Sequence, residues 1–275
     1  MGPGYGYSMS TVTITDTIQI APTAVDADGM LARTMRILSC FTADEPELSA
    51  SRLGALTGLS SSTLHRILAQ MLELGLLSRT PGRRYAVGAR LWELGELSPL
   101  SLRLRETALP YMSRLYEATG ENVHLAVLDA PAPERATALY VGRLTGRSSI
   151  PTLSRMGGRQ PLHTTGVGKA LLATQTGDWL DRFLSQPLER ETMHSITEPE
   201  AVRAEVDRAR ARGYATTREE MTLGNVSVAA PVGSVAGLPP TALGVVTRID
   251  GADTRRLGAL VTQTAADLGR ALRAF

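Results

Sequence analysis

The sequence predicts an α+β fold in two parts. The first is a small group of helices closed by a hairpin, and the second is an antiparallel sheet flanked by helices. Apolar residues follow a helical period up to about residue 74, whereas short alternating strands separated by turn residues begin near residue 122. With 275 residues and 43% hydrophobic content, the chain can bury the cores of two ordinary domains.

The opening segment predicts a tail followed by a packing helix. Met1–Gly29 has no periodicity and lacks the charged and apolar blocks of a signal peptide, so we expect a flexible tail over 1–29. A helix is predicted over Met30–Phe41. The single cysteine, Cys40, cannot form an internal disulfide, and we expect a small core residue in a reducing compartment. The apolar residues expected to face inward are Leu31, Met35, Leu38 and Phe41.

Residues 49–74 have the layout of a helix-turn-helix. Ser49 is a good N-cap for the first helix, Gly58 suits the left-handed turn after it, and Ser60 can cap the second helix. The second helix carries a core-facing stripe: Leu64, Ile67, Leu68, Met71 and Leu72. Its other face presents short polar groups and one guanidinium near the helix start, as a helix that enters the major groove requires: Ser61, Ser62, Thr63, His65 and Arg66.

An arginine-rich hairpin follows and completes the pattern of a winged helix-turn-helix. Arg79, Arg83 and Arg84 would crowd its tip, where a wing lies along the phosphate backbone. Between residues 30 and 90, eight arginines oppose four acidic residues, although the whole chain carries only +2. Positive charge is therefore concentrated in this region. The sequence predicts a DNA-binding domain over 30–88 that uses Ser49, Ser60, Ser61, Ser62, Thr63, His65, Arg66, Arg79, Arg83 and Arg84.

Other interpretations of the same residues stay open. Arginines on a turn are more often solvated than bound to DNA, and two helices with a hairpin can also serve protein contacts. The alternative function is a sensor module that acts through protein partners without sequence-specific DNA binding. The order of the parts favours DNA binding.

The rest of the chain predicts a linker helix and an α+β domain. The linker is placed over 89–100, with its helix at Arg90–Leu97 ended or kinked by Pro99. The C-terminal domain covers 101–275. Its predicted helices are Leu102–Ala118, Gly166–Thr174, Trp179–Leu184, Pro199–Arg212 and Thr254–Ala274. Its predicted strands are Asn122–Leu128, Ala136–Arg143, Ser149–Leu153, Tyr214–Thr217, Val226–Val232 and Ala242–Ile249.

The chain lacks the patterns of an enzyme or a membrane protein. Its four histidines are scattered without metal-ligand spacing, there is no G-x-S-x-G elbow, and His163 and Ala170 break the P-loop pattern around Gly168-Lys169. We expect His163 to be a structural hydrogen bonder. No apolar run is long enough for a bilayer. We therefore expect a cytoplasmic protein with no catalytic residues, no metal and no cofactor.

Three segments resemble the IclR family of bacterial transcription regulators. They are TGLSSSTLHRILAQMLELGLL, GRQPLHTTGVGKALLA over 158–173, and ARGYATTREEMTLGNVSVAAPV over 211–232. The resemblance runs from about Met30 to Ala274. It implies a winged helix-turn-helix, a linker helix and a GAF-like effector domain. It also implies a dimer or a dimer of dimers on a palindromic operator, with repression as the commoner mode and a small organic acid or an aromatic-pathway metabolite as effector.

The resemblance also implies an effector pocket. It would be formed by Met156, Gly157, Thr165, Gly166, Thr217, Glu220, Ser227, Val245 and Thr247. Gly166-Val167-Gly168 opens a helix whose N–H groups suit a carboxylate, although such glycines can simply allow close packing. The family often has an acidic residue at Thr217, cysteine at Ser227 and serine at Val245. These departures speak against a two- or three-carbon keto acid and for a larger or more apolar acid.

Overall fold

The computed structural model describes residues 29–129, 132–146 and 154–274. These residues form two compact units, one ending at Leu94 and the other beginning at Gly95. The predicted tail over 1–29, apart from Gly29, and the predicted strand Ser149–Leu153 lie outside the described residues. No helix of the described ranges is long and apolar enough to cross a membrane.

The N-terminal unit combines helices with a small antiparallel sheet. Its helices are α1 (Met30–Leu38), α2 (Ala50–Thr57), α3 (Ser61–Glu73) and α4 (Ala89–Glu96), the last of which extends past the unit boundary. Its strands are β1 (Glu47–Leu48), β2 (Leu77–Arg79) and β3 (Tyr85–Val87), in the order β1-β3-β2. Leu53, Leu64, Ile67, Leu68 and Met71 meet in one buried cluster with Ile37 and Tyr85.

Two capping serines and a glycine shape the turn between α2 and α3 as predicted. The Ser49 hydroxyl accepts a hydrogen bond from the Arg52 amide and so caps α2. Gly58 ends that helix with φ of 67°, a left-handed conformation that favours glycine. The Ser60 hydroxyl then accepts from the Thr63 amide and caps α3. The serine directly before each helix thus caps its first amide groups, and Gly58 ends α2 between them.

Helix α1 differs from its prediction. It ends at Leu38, three residues early, and Ile37 is its only fully buried residue. Leu31 and Met35, expected to be inward, are 82% and 61% exposed, while Leu38 and Phe41 are half-buried against the core. Periodicity finds the apolar stripe of a helix, but it cannot say whether the stripe meets its own core or another molecule. Cys40 is likewise only half-buried.

The C-terminal unit is built on a six-stranded antiparallel sheet in the order β6-β5-β4-β9-β8-β7. The strands are β4 (Asn122–Asp129), β5 (Thr137–Leu144), β6 (Arg159–Gln160), β7 (Ala215–Arg218), β8 (Asn225–Pro231) and β9 (Thr241–Arg248). The helices are α5 (Glu106–Thr119), α6 (Gly166–Leu172), α7 (Gly177–Leu184), α8 (Pro199–Arg212) and α9 (Thr254–Arg273). The prediction missed the two-residue strand β6. The predicted helix from Leu102 instead begins as a wide π-turn over Leu100–Arg105.

Helices cover both faces of this sheet. On one face α5 and α9 bury alternate residues of the central strands, such as Val226, Val228, Leu243 and Val245. On the other face α6 lies across β4, β7, β8 and β9, and α8 packs beside it on β7. All seven residues of α6 are buried, so this helix is a part of the core with no solvent face.

Close packing fixes the path of the chain that leads into α6. A Cβ on Gly168 would lie 2.4 Å from the Leu162 carbonyl oxygen and 2.5 Å from the Leu162 Cα. Backbone atoms cannot rotate away as a side-chain end can. The glycine therefore allows the chain before α6 to fold back against the helix.

We expect Gly168→Ala to lower the free energy of unfolding of the C-terminal unit by about 1–3 kcal/mol, because the added methyl group overpacks a rigid site. Chemical denaturation followed by circular dichroism measures this. Gly177→Ala, at the start of α7 and open to space, is the control and should change stability by less than about 0.5 kcal/mol. Equal stability of both variants would contradict the packing assignment.

Candidate DNA interface and ligand pocket

The start of α3 presents a polar surface to solvent. Ser60, Ser61, Ser62, His65 and Arg66 are exposed, and Thr63 is half-buried. The His65 Nδ1 lies 2.8 Å from the Ser61 carbonyl oxygen, which can only accept, so Nδ1 carries a proton. In the neutral ring Nε2 is then an outward-facing acceptor. Ser49 and Ser60 use their hydroxyls as helix caps, and Ser49 is half-buried.

The predicted wing is the turn between β2 and β3. Arg83 and Arg84 are exposed there, and Arg83 has the left-handed φ of 57° that closes the turn. Arg79 behaves differently, because its guanidinium stacks on the Tyr85 ring at 4.8 Å and donates to the Tyr85 hydroxyl at 2.9 Å. Within the described residues no ion pair or hydrogen bond holds the guanidinium of Arg66, Arg83 or Arg84. These cations are therefore available to an anionic partner.

A cavity opens on the α6 face of the large sheet. Its empty space, open solvent included, is about 440 Å³. Among the residues predicted for the effector pocket, five line it: Thr165, Gly166, Thr217, Glu220 and Ser227. All of these belong to the two segments that carry the family resemblance in this unit.

The other four predicted residues do not line the cavity. Val245 lies in the core beneath α5 and α9, and Thr247 shares that face of β9. Successive residues of a strand point to opposite faces, so the cavity is met by Val246 instead. Met156 is 48% exposed, and Gly157 turns the chain before β6 with φ of 73°. An error of one residue in register moved the β9 prediction to the wrong face.

Several lining residues were missed by the sequence interpretation: His124, Tyr140, Ser154, Met221, Asn225 and Val246. His124 and Tyr140 stand on β4 and β5, far in sequence from the segments that carry the resemblance. The alternation of Asn225, Ser227 and Ala229 along β8 could have placed Asn225 beside Ser227. The sequence has no local signal that would find His124 and Tyr140, because only the pairing of the strands brings them to the cavity.

The β4–β5 side of the cavity is polar and uncharged. Burial lowers the pKa of His124 to about 3, so the ring is neutral at physiological pH, and its Nε2 lies 3.0 Å from the Ser154 hydroxyl. The Tyr140 ring stands edge-on to His124 at 5.3 Å between centroids. Burial also raises the pKa of the Tyr140 hydroxyl, which therefore stays protonated.

The opposite side contains a buried ion pair that the sequence interpretation did not foresee. Both carboxylate oxygens of Glu220 lie 2.7 Å from the Lys169 Nζ, and the two side chains are 6% and 1% exposed. Burial raises the pKa of Glu220, and the Lys169 ammonium offsets part of that rise. The Ser195 hydroxyl donates to the Glu220 carbonyl oxygen at 2.7 Å and fixes its backbone.

The pocket therefore has almost no net charge. Glu220 is matched by Lys169 behind it, and His124 is neutral. Arg218 and Arg248, the arginines at the ends of β7 and β9, are exposed and do not line the cavity. His163 is buried, and its Nε2 lies 2.8 Å from the Glu189 carbonyl oxygen, which fits the structural role predicted for it. No group of three or more potential metal ligands occurs within the described ranges.

A helix-turn-helix with an arginine wing and a unit with a small polar pocket, joined in one chain, define a ligand-responsive DNA-binding regulator. The model of the IclR helix-turn-helix domain matches residues 30–81, and the model of the bacterial transcriptional regulator IclR C-terminal domain matches residues 99–270. The chain belongs to the IclR family of transcription regulators. It is a metabolite-responsive, DNA-binding transcription regulator and not an enzyme.

Individual relatives agree with this assignment. The chain is 30% identical to the HTH-type transcriptional regulator XynR of Escherichia coli (strain K12), over 87% of this chain and 95% of XynR. It is 27% identical to the transcriptional repressor IclR of the same organism, over 86% of this chain and 88% of that protein. A solved IclR homolog from Microbacterium hydrocarbonoxydans, complexed with 4-hydroxybenzoate, superposes with a TM-score of 0.83 at 32% identity, over 90% of this chain and 100% of that chain.

We expect Lys169→Met to lower the free energy of unfolding of the C-terminal unit by about 3–5 kcal/mol, because it leaves the Glu220 carboxylate buried without its partner. Without the ammonium the pKa of Glu220 rises further. A raised folded-state pKa means that stability is lost as pH rises through it, so the variant should be more stable in mildly acidic buffer. Denaturation curves at several pH values measure both effects.

The double variant Lys169→Met, Glu220→Gln is the control for this prediction. It removes both charges and should recover much of the lost stability and abolish the added pH dependence. A single variant as stable as the wild type at neutral pH would show that the pair contributes no net stability.

Proposed function

We propose that this regulator is a repressor that reads a roughly palindromic operator as a dimer or a dimer of dimers. We further propose that a small organic acid or aromatic-pathway metabolite in the pocket controls it. The observation that carries the proposal is the set of exposed guanidinium groups of Arg66, Arg83 and Arg84, which have no partner among the described residues. They lie on the helix and turn that a winged helix-turn-helix applies to DNA. Repression follows the relative named as a repressor.

The proposed DNA contacts divide by chemistry. Arg66, exposed one turn into α3, can reach a guanine edge in the major groove, and the His65 Nε2 can accept from a base. Arg83 and Arg84 on the wing contact phosphates. The hydroxyls at the start of α3 also contact phosphates: Ser61, Ser62 and Thr63. Ser49 and Ser60 contribute by capping α2 and α3, and Arg79 by holding Tyr85 on β3. Since the target is chromosomal DNA, the place of action is the cytoplasm.

Exposed apolar side chains support a homo-oligomer. Leu31 and Met35 on α1 and Trp92 on α4 are 82%, 61% and 69% exposed. We propose that these side chains form one apolar patch that a second copy covers, because contiguous exposed apolar patches usually mark protein contacts. A second copy related by a two-fold axis would bring two α3 helices to half-sites in successive major grooves, which gives the operator its palindromic form.

The pocket chemistry supports a ligand larger than a two- or three-carbon keto acid. Uncharged hydroxyl, imidazole and phenol groups share the lining with the apolar Met221 and Val246. Such a lining suits a compact ligand with a hydrocarbon body and polar groups at its ends. The related structure holds 4-hydroxybenzoate, a ligand of this kind. We therefore propose a hydroxylated or aromatic acid of similar size for this chain.

We expect Arg66→Ala to lose operator preference, because one base contact is worth about 1–3 kcal/mol of discrimination. Arg83→Ala should weaken binding to every sequence and reduce the slope of log affinity against log salt by about 1. Fluorescence anisotropy with DNA from the region upstream of the gene and with scrambled DNA, over a salt series, measures both.

The exposed Arg255 at the start of α9 supplies the matched control, and Arg255→Ala should bind DNA as the wild type does. If Arg66→Ala kept the full preference for the operator, the placement of α3 in the groove would be wrong.

We expect 4-hydroxybenzoate to bind the purified protein more tightly than pyruvate or glyoxylate, because the small acids leave the apolar part of the pocket unfilled. Isothermal titration calorimetry measures the affinities, and release of operator DNA by the same compounds tests the regulatory effect. Tight binding of pyruvate or glyoxylate and of nothing larger would refute the proposed effector class.

A further inference from the structure

One polar group in the pocket has no partner. Asn225 is the first residue of β8, lines the cavity and is only 8% exposed. Its side-chain Oδ1 is buried and has no hydrogen-bond partner among the described residues. A buried carbonyl oxygen without a partner costs about 1–3 kcal/mol, and most such groups in folded proteins are satisfied. The structure therefore keeps an unpaired acceptor on a residue that lines the cavity.

Three other polar side chains of the lining already have partners. The Thr165 hydroxyl donates to the Pro161 carbonyl oxygen and accepts from the Gly168 amide. The Thr164 hydroxyl contacts the Met221 sulfur, and both oxygens of Glu220 face Lys169. These groups are therefore already paired, whereas within the described ranges the Asn225 Oδ1 is not.

The backbone holds Asn225 in place. Its carbonyl oxygen accepts from the Glu219 amide at 2.7 Å, and its amide donates to the Thr222 carbonyl oxygen at 3.4 Å. Strand pairing with Arg248 on β9 continues from there. The side chain is thus presented from a rigid strand end rather than from a loose loop, as a specificity contact requires.

The other asparagine of the chain provides a contrast. Asn122 and Asn225 are the only two in the sequence, both are buried, and both begin strands of the same sheet. Asn122 has an internal role, because its Oδ1 accepts from the Gly146 amide at 2.9 Å. Asn225 Oδ1 has no such partner among the described residues, although Asn225 lines the cavity.

We propose that Asn225 is a specificity-determining residue of the effector pocket, whose carboxamide oxygen accepts a hydrogen bond from a hydroxyl group of the ligand. An unpaired carboxamide oxygen can only accept a hydrogen bond, so it selects a ligand group that donates one. This deepens, and rests on, the proposed function, because it assigns the hydroxyl of a hydroxylated acid to the Asn225 end. Analogues without that hydroxyl leave a buried acceptor unpaired and lose affinity.

The test uses the full-length protein, the variants Asn225→Leu and Asn122→Leu, and three probes. 4-Hydroxybenzoate and phenol carry the hydroxyl donor, whereas benzoate lacks it. We expect Asn225→Leu to bind 4-hydroxybenzoate about ten-fold more weakly than the wild type, the effect of one lost hydrogen bond, and to bind benzoate unchanged. Its thermal stability should equal or exceed that of the wild type, whereas Asn122→Leu should be less stable.

The outcomes separate this inference from the proposed function. Equal losses for 4-hydroxybenzoate and benzoate, or a loss of stability in Asn225→Leu as large as in Asn122→Leu, would overturn the role of Asn225 and leave the effector class standing. If the wild type bound phenol but no acid, and Asn225→Leu lost phenol, the donor contact would hold and the acid class would fail. Binding of none of the three probes would overturn both.

Discussion

The contact between Lys169 and Glu220 links the parts of the C-terminal unit that the ligand pocket needs. Lys169 stands in α6, which has no solvent face, and Glu220 follows β7 in the segment that leads into β8. With both carboxylate oxygens 2.7 Å from the ammonium, the pair joins the helix to the pocket wall. A buried charge must be compensated, so neither element can shift without the other. The same pairing keeps the cavity close to neutral and shapes which ligands it admits.

The two faces of the large sheet have different roles: one forms an apolar core and the other contains the cavity. The face beneath α5 and α9 is filled with buried aliphatic side chains. The face beneath α6 changes along the strands from small apolar residues, such as Ala229 and Ala242, to the polar groups of the cavity. Because strands alternate, a polar residue that serves the cavity is flanked in sequence by residues that serve the opposite core, as Ser227 is by Val226 and Val228.

How far the sequence predicts this molecule depends on how local the determinants are. The helix-turn-helix was predictable because Ser49, Gly58 and Ser60 act on atoms a few residues away. Apart from β6, which was missed, the described strands and main helices of the C-terminal unit were found with small errors at their ends for the same reason. The cavity was predicted only in part, since His124 and Tyr140 reach it through strand pairing between β4, β5 and β9. The exposure of Leu31 and the Lys169–Glu220 pair depend on tertiary packing, which no periodicity encodes.

The presence of a single lysine in the sequence has a practical consequence. Lys169 is the only lysine in the sequence, and its side chain is 1% exposed, while all other side-chain cations apart from histidine are arginine. Reagents that modify ε-amino groups, and enzymes that acetylate or ubiquitinate them, therefore find no lysine on the surface of the folded chain. The one ε-amine becomes accessible only when the packing around α6 and Glu220 opens. Amine reactivity thus reports opening of the pocket region, and the surface can carry positive charge for DNA without offering a site for lysine modification.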